Sequence, residues 1–205
     1  METRQYVAEA LGIEKEEVSC EITLLGGAFG RKSKPDFACE AALISKAVGA
    51  PVRVQWSRED DIRHGYYHAV SAQHLKAGLD KNGKVVAWQQ CVVSPSIFAL
   101  WNPPQRALAD LEAGLGLVDL PFNAVPNMQL EAGETDVMIR VGWYRSVNNI
   151  QHAFAMHGFA DELAAAAGRD PLEFMLELIG EDAVMDITQD GVESVWNYDG
   201  PIEDY

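Results

Sequence analysis

The chain has 205 residues and a formal charge of -15, from 31 acidic and 16 basic side chains. Its 48% hydrophobic and 23% charged residues are the proportions of a globular protein with one sizeable core or two small ones. The acidic balance argues against general nucleic-acid binding, which runs on phosphate neutralisation. No run approaches the roughly 18 apolar residues that a membrane-spanning helix needs.

Tyr6, Val7, Ala10 and Leu11 share a face and predict a helix over 3–11, stopped by Gly12 in the C′ position. This start lacks the apolar run of a signal peptide. Residues 18–24 alternate as a strand with Val18, Cys20, Ile22 and Leu24 on its apolar face. Cys20 therefore reads as a buried thiol, and Cys39 and Cys91 as unpaired buried thiols too. The glycine-rich stretch "LLGGAFGRKSKPDF" follows at 24–37. A second helix is predicted behind it, with Asp36 as N-cap, an apolar stripe of Phe37, Ala41, Ile44 and Val48, and Gly49 as its stop. "PVRVQW" at 51–56 reads as a strand, and Ser57 and Asp60 stand at capping-box spacing over a short helical turn.

Residues 68–93 read as a long hairpin turning at Asn82-Gly83. Residues 94–125 are irregular, with room for one helix, and 127–142 hold one or two strands. From Ile150 onward Ala153, Met156, Ala160, Leu163 and Ala167 recur at helical spacing, and Gly168 ends that helix. Asp170 as N-cap, Pro171 in the first position and Glu173 closing the box open another. Helices and strands mix without regular alternation, so the fold class is α+β, mixed sheets with packed helices. Residues 181–205 hold eight acidic residues and no lysine or arginine, yet they carry Trp196 and Tyr198. A free tail is usually polar and poor in aromatics. This tail is expected to lead into a further portion, and the chain to be an internal piece of a longer polypeptide.

The glycine stretch fails both familiar phosphate patterns. A Walker loop needs G-x-x-x-x-G-K-[ST]; Lys32 and Ser33 fit, but Arg31 stands where the second glycine belongs, and Pro35 pushes the helix start downstream. Gly26, Gly27 and Gly30 do not give G-x-G-x-x-G either. Three glycines in five positions still allow positive φ and close approach of backbone N–H groups to a ligand, with Arg31, Lys32 and Lys34 as cationic handles. A tight turn with a solvated basic face accounts for the same residues, and the two readings stay open on the residues alone.

Other chemistry finds little support. The five histidines, His64, His68, His74, His152 and His157, form no HExxH and no cluster with cysteine; His152 and His157 read as packing or surface residues of the long helix. There is no Gly-x-Ser-x-Gly elbow, and Asp60-Asp61 and Glu16-Glu17 read as solvated charge.

In order along the chain stand GGxFG at 26–30, "WSREDD" at 56–61, "RSV" at 145–147 and "DELAAAAGRDP" at 161–171. With these motifs the chain resembles the molybdenum-binding subunit of the xanthine oxidase family, most of all the branch of isoquinoline 1-oxidoreductase beta subunits and related aldehyde dehydrogenases. The resemblance implies a partial molybdopterin-binding domain over 1–180: a Gly-loop unit at 1–50, a strand-rich hairpin region at 51–140, and an Arg-loop with helices at 141–180. It places the cofactor along Gly26, Gly27, Ala28, Phe29, Gly30 and Arg31, with no direct metal ligand. It implies a catalytic role for Arg145 at the metal and substrate end, with Tyr144 and Val147 as pocket neighbours. A guanidinium keeps its charge and donates in a fixed fork, which suits a substrate oxygen or a developing oxyanion. Without the resemblance, Arg145 would read as the partner of one of the many carboxylates.

The family's catalytic glutamate, in a glycine-rich segment near the end of the large subunit, has no counterpart here; Glu134 in "AGETD" precedes the arginine segment and does not take that role. Ser33 stands near the place of an acidic residue that helps xanthine dehydrogenases read purines, and Ala28 stands where glycine is usual. The implied parent is an oxidoreductase that oxidises an aldehyde or an N-heterocyclic aromatic with oxygen from water. It uses molybdopterin gripped between this portion and the remainder of its own large subunit, and passes electrons to an iron–sulfur subunit. The isolated chain is expected to be inactive and to hold none of these groups itself. A non-catalytic scaffold or subunit-contact domain with an empty loop is the alternative. The compartment, cytoplasm or periplasm, is left open.

Overall fold

A computed structural model describes residues 2–100, 110–115, 125–136 and 139–181. Helices α1 (Glu2–Leu11), α2 (Asp36–Val48), α3 (Arg58–His64), α4 (Asp110–Gly114), α5 (Asn149–Ala167) and α6 (Pro171–Ile179) accompany strands β1 (Ala72–Leu79), β2 (Val85–Val93) and β3 (Met128–Gly133). The fold is α+β, as expected. The acidic tail from residue 182 and the stretches 101–109 and 116–124 of the predicted irregular connection lie outside the described residues.

The chain forms two compact units: Met1–His68 with Met138–Arg145, and Ala69–Val137 with Ser146–Tyr205. They divide the charge unequally. The first carries eleven basic and eleven acidic side chains, so the whole formal charge of -15 resides in the second.

In the first unit, α1 ends at Gly12, whose φ of 69° is the left-handed C′ conformation the sequence anticipates. Ser57 and Asp60 close their box around the start of α3: the Asp60 N–H donates to Ser57 Oγ at 3.1 Å, and the Ser57 N–H to Asp60 Oδ2 at 3.1 Å. Five expectations are corrected. Residues 18–24 form no strand, because no partner among the described residues supplies a ladder. Ile22 is 90% and Leu24 fully exposed, and Cys20 lies exposed with them, while Cys39 and Cys91 are half-buried. Residues 51–56 keep the alternation of a strand, with Val52, Val54 and Trp56 half-buried, but are likewise unpaired. Asp36 is the first helical residue of α2 rather than its cap, Pro35 holding that position, and the stripe of Phe37, Ile44 and Val48 is exposed.

The second unit holds the main core. β2 is the centre of a three-stranded sheet, antiparallel to β1 and parallel to β3. The hairpin turn is the predicted one: Gly83 has φ 79°, and Asp80 Oδ1 accepts from the N–H groups of Asn82 at 2.8 Å and Lys84 at 2.9 Å. Val85, Trp88, Met156, Ala160, Leu163, Ala164, Phe174 and Leu178 form one buried cluster, with the Phe159 ring edge-on to Trp88 at 5.1 Å. The buried face of α5 runs His152–Met156–Ala160–Leu163–Ala164, and Ile150, expected on it, is exposed. Asp170 caps α6, accepting from Leu172 N–H at 2.9 Å and Glu173 N–H at 3.1 Å.

Candidate functional site

The glycine stretch and the arginine segment, more than a hundred residues apart in sequence, meet in the first unit. A Cβ on Gly30 would overlap the Trp143 carbonyl and touch Tyr144 Cα at 3.0 Å, so only glycine permits this approach. Gly27 and Gly30 adopt φ of 147° and 83°. A tight turn follows: the Arg31 N–H donates to Ala28 O at 3.0 Å, and Ser33 donates to Gly30 O through its N–H at 3.1 Å and its hydroxyl at 2.7 Å. Among the described residues the N–H groups of Gly26, Gly27, Ala28, Phe29 and Gly30 donate no hydrogen bond. Among the described residues the loop therefore offers five consecutive amide donors without a protein acceptor.

Backbone strain gathers at the same two segments. The non-glycine residues with positive φ are Phe29 (48°), Ser146 (63°) and Val147 (48°). A phenylalanine or a β-branched valine there is a genuine outlier, and such conformations concentrate at ligand sites. Phe29 is 57% exposed, with the Arg145 guanidinium over its ring at 4.3 Å from the centroid. No ion pair is found for Arg145 among the described residues, so the carboxylate partner that its residue type alone would predict is not there. Tyr144 lies against His68, ring centroids 5.1 Å apart. Val147 belongs to the second unit, in a turn closed by Asn149 N–H donating to Ser146 O at 2.8 Å.

The other cations of the loop are already engaged. Arg31 makes a two-pronged ion pair with Asp36 at 2.8 and 3.0 Å and stacks on Tyr66 at 5.1 Å, whose ring Arg140 also approaches at 5.2 Å. Burial alone would lower the Arg31 pKa, but the Asp36 carboxylate more than offsets that and holds it above the ordinary value. Tyr66 is pushed up, first by burial and then by the Asp36 charge. Lys32 lies over Phe37 at 4.5 Å, and buried Lys34 over Tyr6 at 5.1 Å. Much of the positive charge of the stretch thus holds the turn together.

The second unit holds a polar network that no sequence signal announced. Glu112 is 1% exposed and accepts from the Ser96 hydroxyl, from Ile97 N–H at 2.8 Å and from Asn148 Nδ2 at 3.4 Å. Asn148 occupies the N-cap position of α5 directly after the strained turn, its side chain turned to Glu112 rather than to the helix N–H groups. His152, one turn on, is fully buried, and burial lowers its pKa more than the Leu115 carbonyl and Glu112 raise it. A carbonyl only accepts, so Nδ1 carries the proton that meets Leu115 O at 3.0 Å.

Among the described residues, the glycine loop thus sets amides without a protein partner beside a strained aromatic and a guanidinium without an ion pair, a donor set that suits an oxygen-rich anion. Residues 1–177 match the family model of the molybdopterin cofactor-binding domain, and the chain belongs to that family. It is 28% identical over 173 residues to the beta chain of isoquinoline 1-oxidoreductase from Brevundimonas diminuta, covering 83% of this chain and 22% of that protein. A nicotinate dehydrogenase subunit of Pseudomonas putida is 30% identical over 171 residues, 80% of this chain and 14% of its own length. Among solved structures, the aldehyde oxidoreductase of Desulfovibrio gigas superposes with a TM-score of 0.68 at 20% identity, covering 83% of this chain and 18% of that one, which shows the same fold. The chain thus spans about a fifth of the length of the relatives it matches. The residues present fit the family's cofactor: free N–H groups in series suit phosphate and oxo oxygens.

Proposed function

We propose that the chain is part of the molybdenum-binding large subunit of a hydroxylase that oxidises an aldehyde or an N-heterocyclic aromatic with oxygen from water. The Arg145 guanidinium, without an ion-pair partner among the described residues and stacked on the phenylalanine of an amide-rich loop in a chain of charge -15, carries this reading. When bound, molybdopterin supplies the metal that takes electrons from the substrate. The N–H groups of Gly26, Gly27, Ala28, Phe29 and Gly30 hold the cofactor's oxygens, and Arg31, tied to Asp36, braces the turn behind them. Phe29 keeps the Arg145 guanidinium in place. Arg145 then donates to a substrate oxygen or to negative charge developing on it. Tyr144 and Val147 wall the substrate. The remainder of the large subunit and a separate iron–sulfur subunit are the partners, and the chain by itself is inactive.

Exchange of Arg145 for lysine tests this. Lysine keeps the charge but loses the planar fork. In the molybdenum-loaded enzyme that contains this chain, Arg145→Lys is expected to lower kcat by about 10²- to 10³-fold with molybdenum content unchanged. Native kcat in that variant would remove Arg145 from the site.

A further inference from the structure

We propose that the first unit carries a second binding site, apart from the glycine loop and Arg145, and that this site takes a flat aromatic monocarboxylate. The site stands independently of the hydroxylase reading.

Three short stretches of the first unit shape it. The alternation of 51–56 leaves Val52, Val54 and Trp56 half-buried. Trp56 Nε1–H donates to Glu40 Oε2 at 2.9 Å, and the indole meets His64 edge-on with ring centroids 6.3 Å apart, so its ring is held in place. The turn Arg31–Ser33 presents Lys32, and the capping box at Ser57 fixes the start of α3 at Arg58. Phe37, Val54 and Trp56 give one open cleft of about 530 Å³ its apolar lining, and Lys32 and Arg58 line the same cleft. A cleft of that size suits a small molecule. None of Gly26–Gly30 lines it, nor does Arg145.

Charge selects the ligand. Arg31 also lines the cleft, but its two-pronged pair with Asp36 cancels its charge. Arg58 faces Asp61 in a single contact at 3.6 Å. No ion pair is found for Lys32 among the described residues. One positive charge is left over, which matches a monoanion better than a phosphate dianion.

The apolar lining selects the body of the ligand. Phe37 is exposed, and the Lys32 ammonium stands over its ring at 4.5 Å from the centroid. An aromatic ring lodged against Phe37 and Trp56 covers their faces and brings its carboxylate to Lys32, whereas an aliphatic acid of two or three carbons leaves those faces bare.

The test uses indole-3-acetate and its neutral isostere indole-3-acetamide. Binding of each to the polypeptide that contains this chain is measured by calorimetry. The native protein is expected to bind the acid at one saturable site and to prefer it to the amide by about tenfold. Lys32 is exposed, so Lys32→Met is expected to keep the fold and to erase the preference. Lys32→Arg, which retains the charge, is expected to keep it. Trp56→Leu is expected to weaken the binding of both ligands by about tenfold. No saturable binding in the native protein, or a preference that survives in Lys32→Met, overturns the assignment. Binding confined to molybdenum-free protein overturns it as well, because it would put the acid on the glycine loop.

Discussion

Val147 adopts φ 48° where an L-residue with a branched Cβ is crowded against its own backbone. The left-handed conformation costs about 1–2 kcal/mol, a penalty from which glycine is exempt. Val147→Gly is therefore expected to raise unfolding stability by about 1 kcal/mol in urea titration, and to reduce turnover if the valine walls the substrate. A destabilised variant would mean that packing of the valine side chain outweighs its strain. Glu112 makes the opposite case. Its oxygens accept from three groups in a buried place. The amide of a glutamine would turn a donor toward donors. Glu112→Gln is expected to lower stability by about 1–3 kcal/mol, again read by urea titration, and a neutral result would show that the network rearranges. Gly26–Gly30 and Arg145 were legible in the sequence because they sit in motifs. His68, Glu112 and Asn148 were not, because their partners lie far along the chain and no local pattern encodes the meeting.

Apart from the cap of α2, where Pro35 rather than Asp36 holds the N-cap position, elements whose determinants are local formed as predicted. The capping box at Ser57 and Asp60, the left-handed stops at Gly12, Gly49 and Gly168, and the turn at Asn82-Gly83 each depend on a few neighbouring residues. The predicted strands at 18–24 and 51–56 needed a remote partner, and alternation alone does not supply one. The same dependence explains the exposed stripe of α2, whose spacing specifies an apolar face but not what covers it. The hairpin turn also makes a prediction about acid. The Lys84 and Asn82 N–H groups hold the Asp80 carboxyl below the ordinary carboxylate value. Because the folded value is depressed, the turn's contribution is fully present above the unfolded value of about 3.9. It is lost as pH falls through the folded value. Protection of the Asn82 and Lys84 amides, measured as exchange relative to the intrinsic rate at the same pH, should fall over that acid window in the native chain and at every pH in Asp80→Ala. Exchange indifferent to both would contradict the role of Asp80.

At the scale of the whole molecule, a neutral unit carries the glycine loop and Arg145, while the second unit carries the entire negative charge. Among the described residues the exposed Arg145 guanidinium has no ion-pair partner and lies over the Phe29 ring instead. The central claim is that the amides of Gly26–Gly30, steadied against Trp143, hold molybdopterin. Elemental analysis of the native polypeptide that contains this chain, beside its Gly30→Ala variant, tests it most directly. Alanine at Gly30 would meet the Trp143 carbonyl and force the loop away from the arginine segment. The prediction is about one molybdenum per native polypeptide and a clear loss in a variant that remains folded. A native polypeptide without molybdenum, or a folded variant that keeps its full complement, would contradict it.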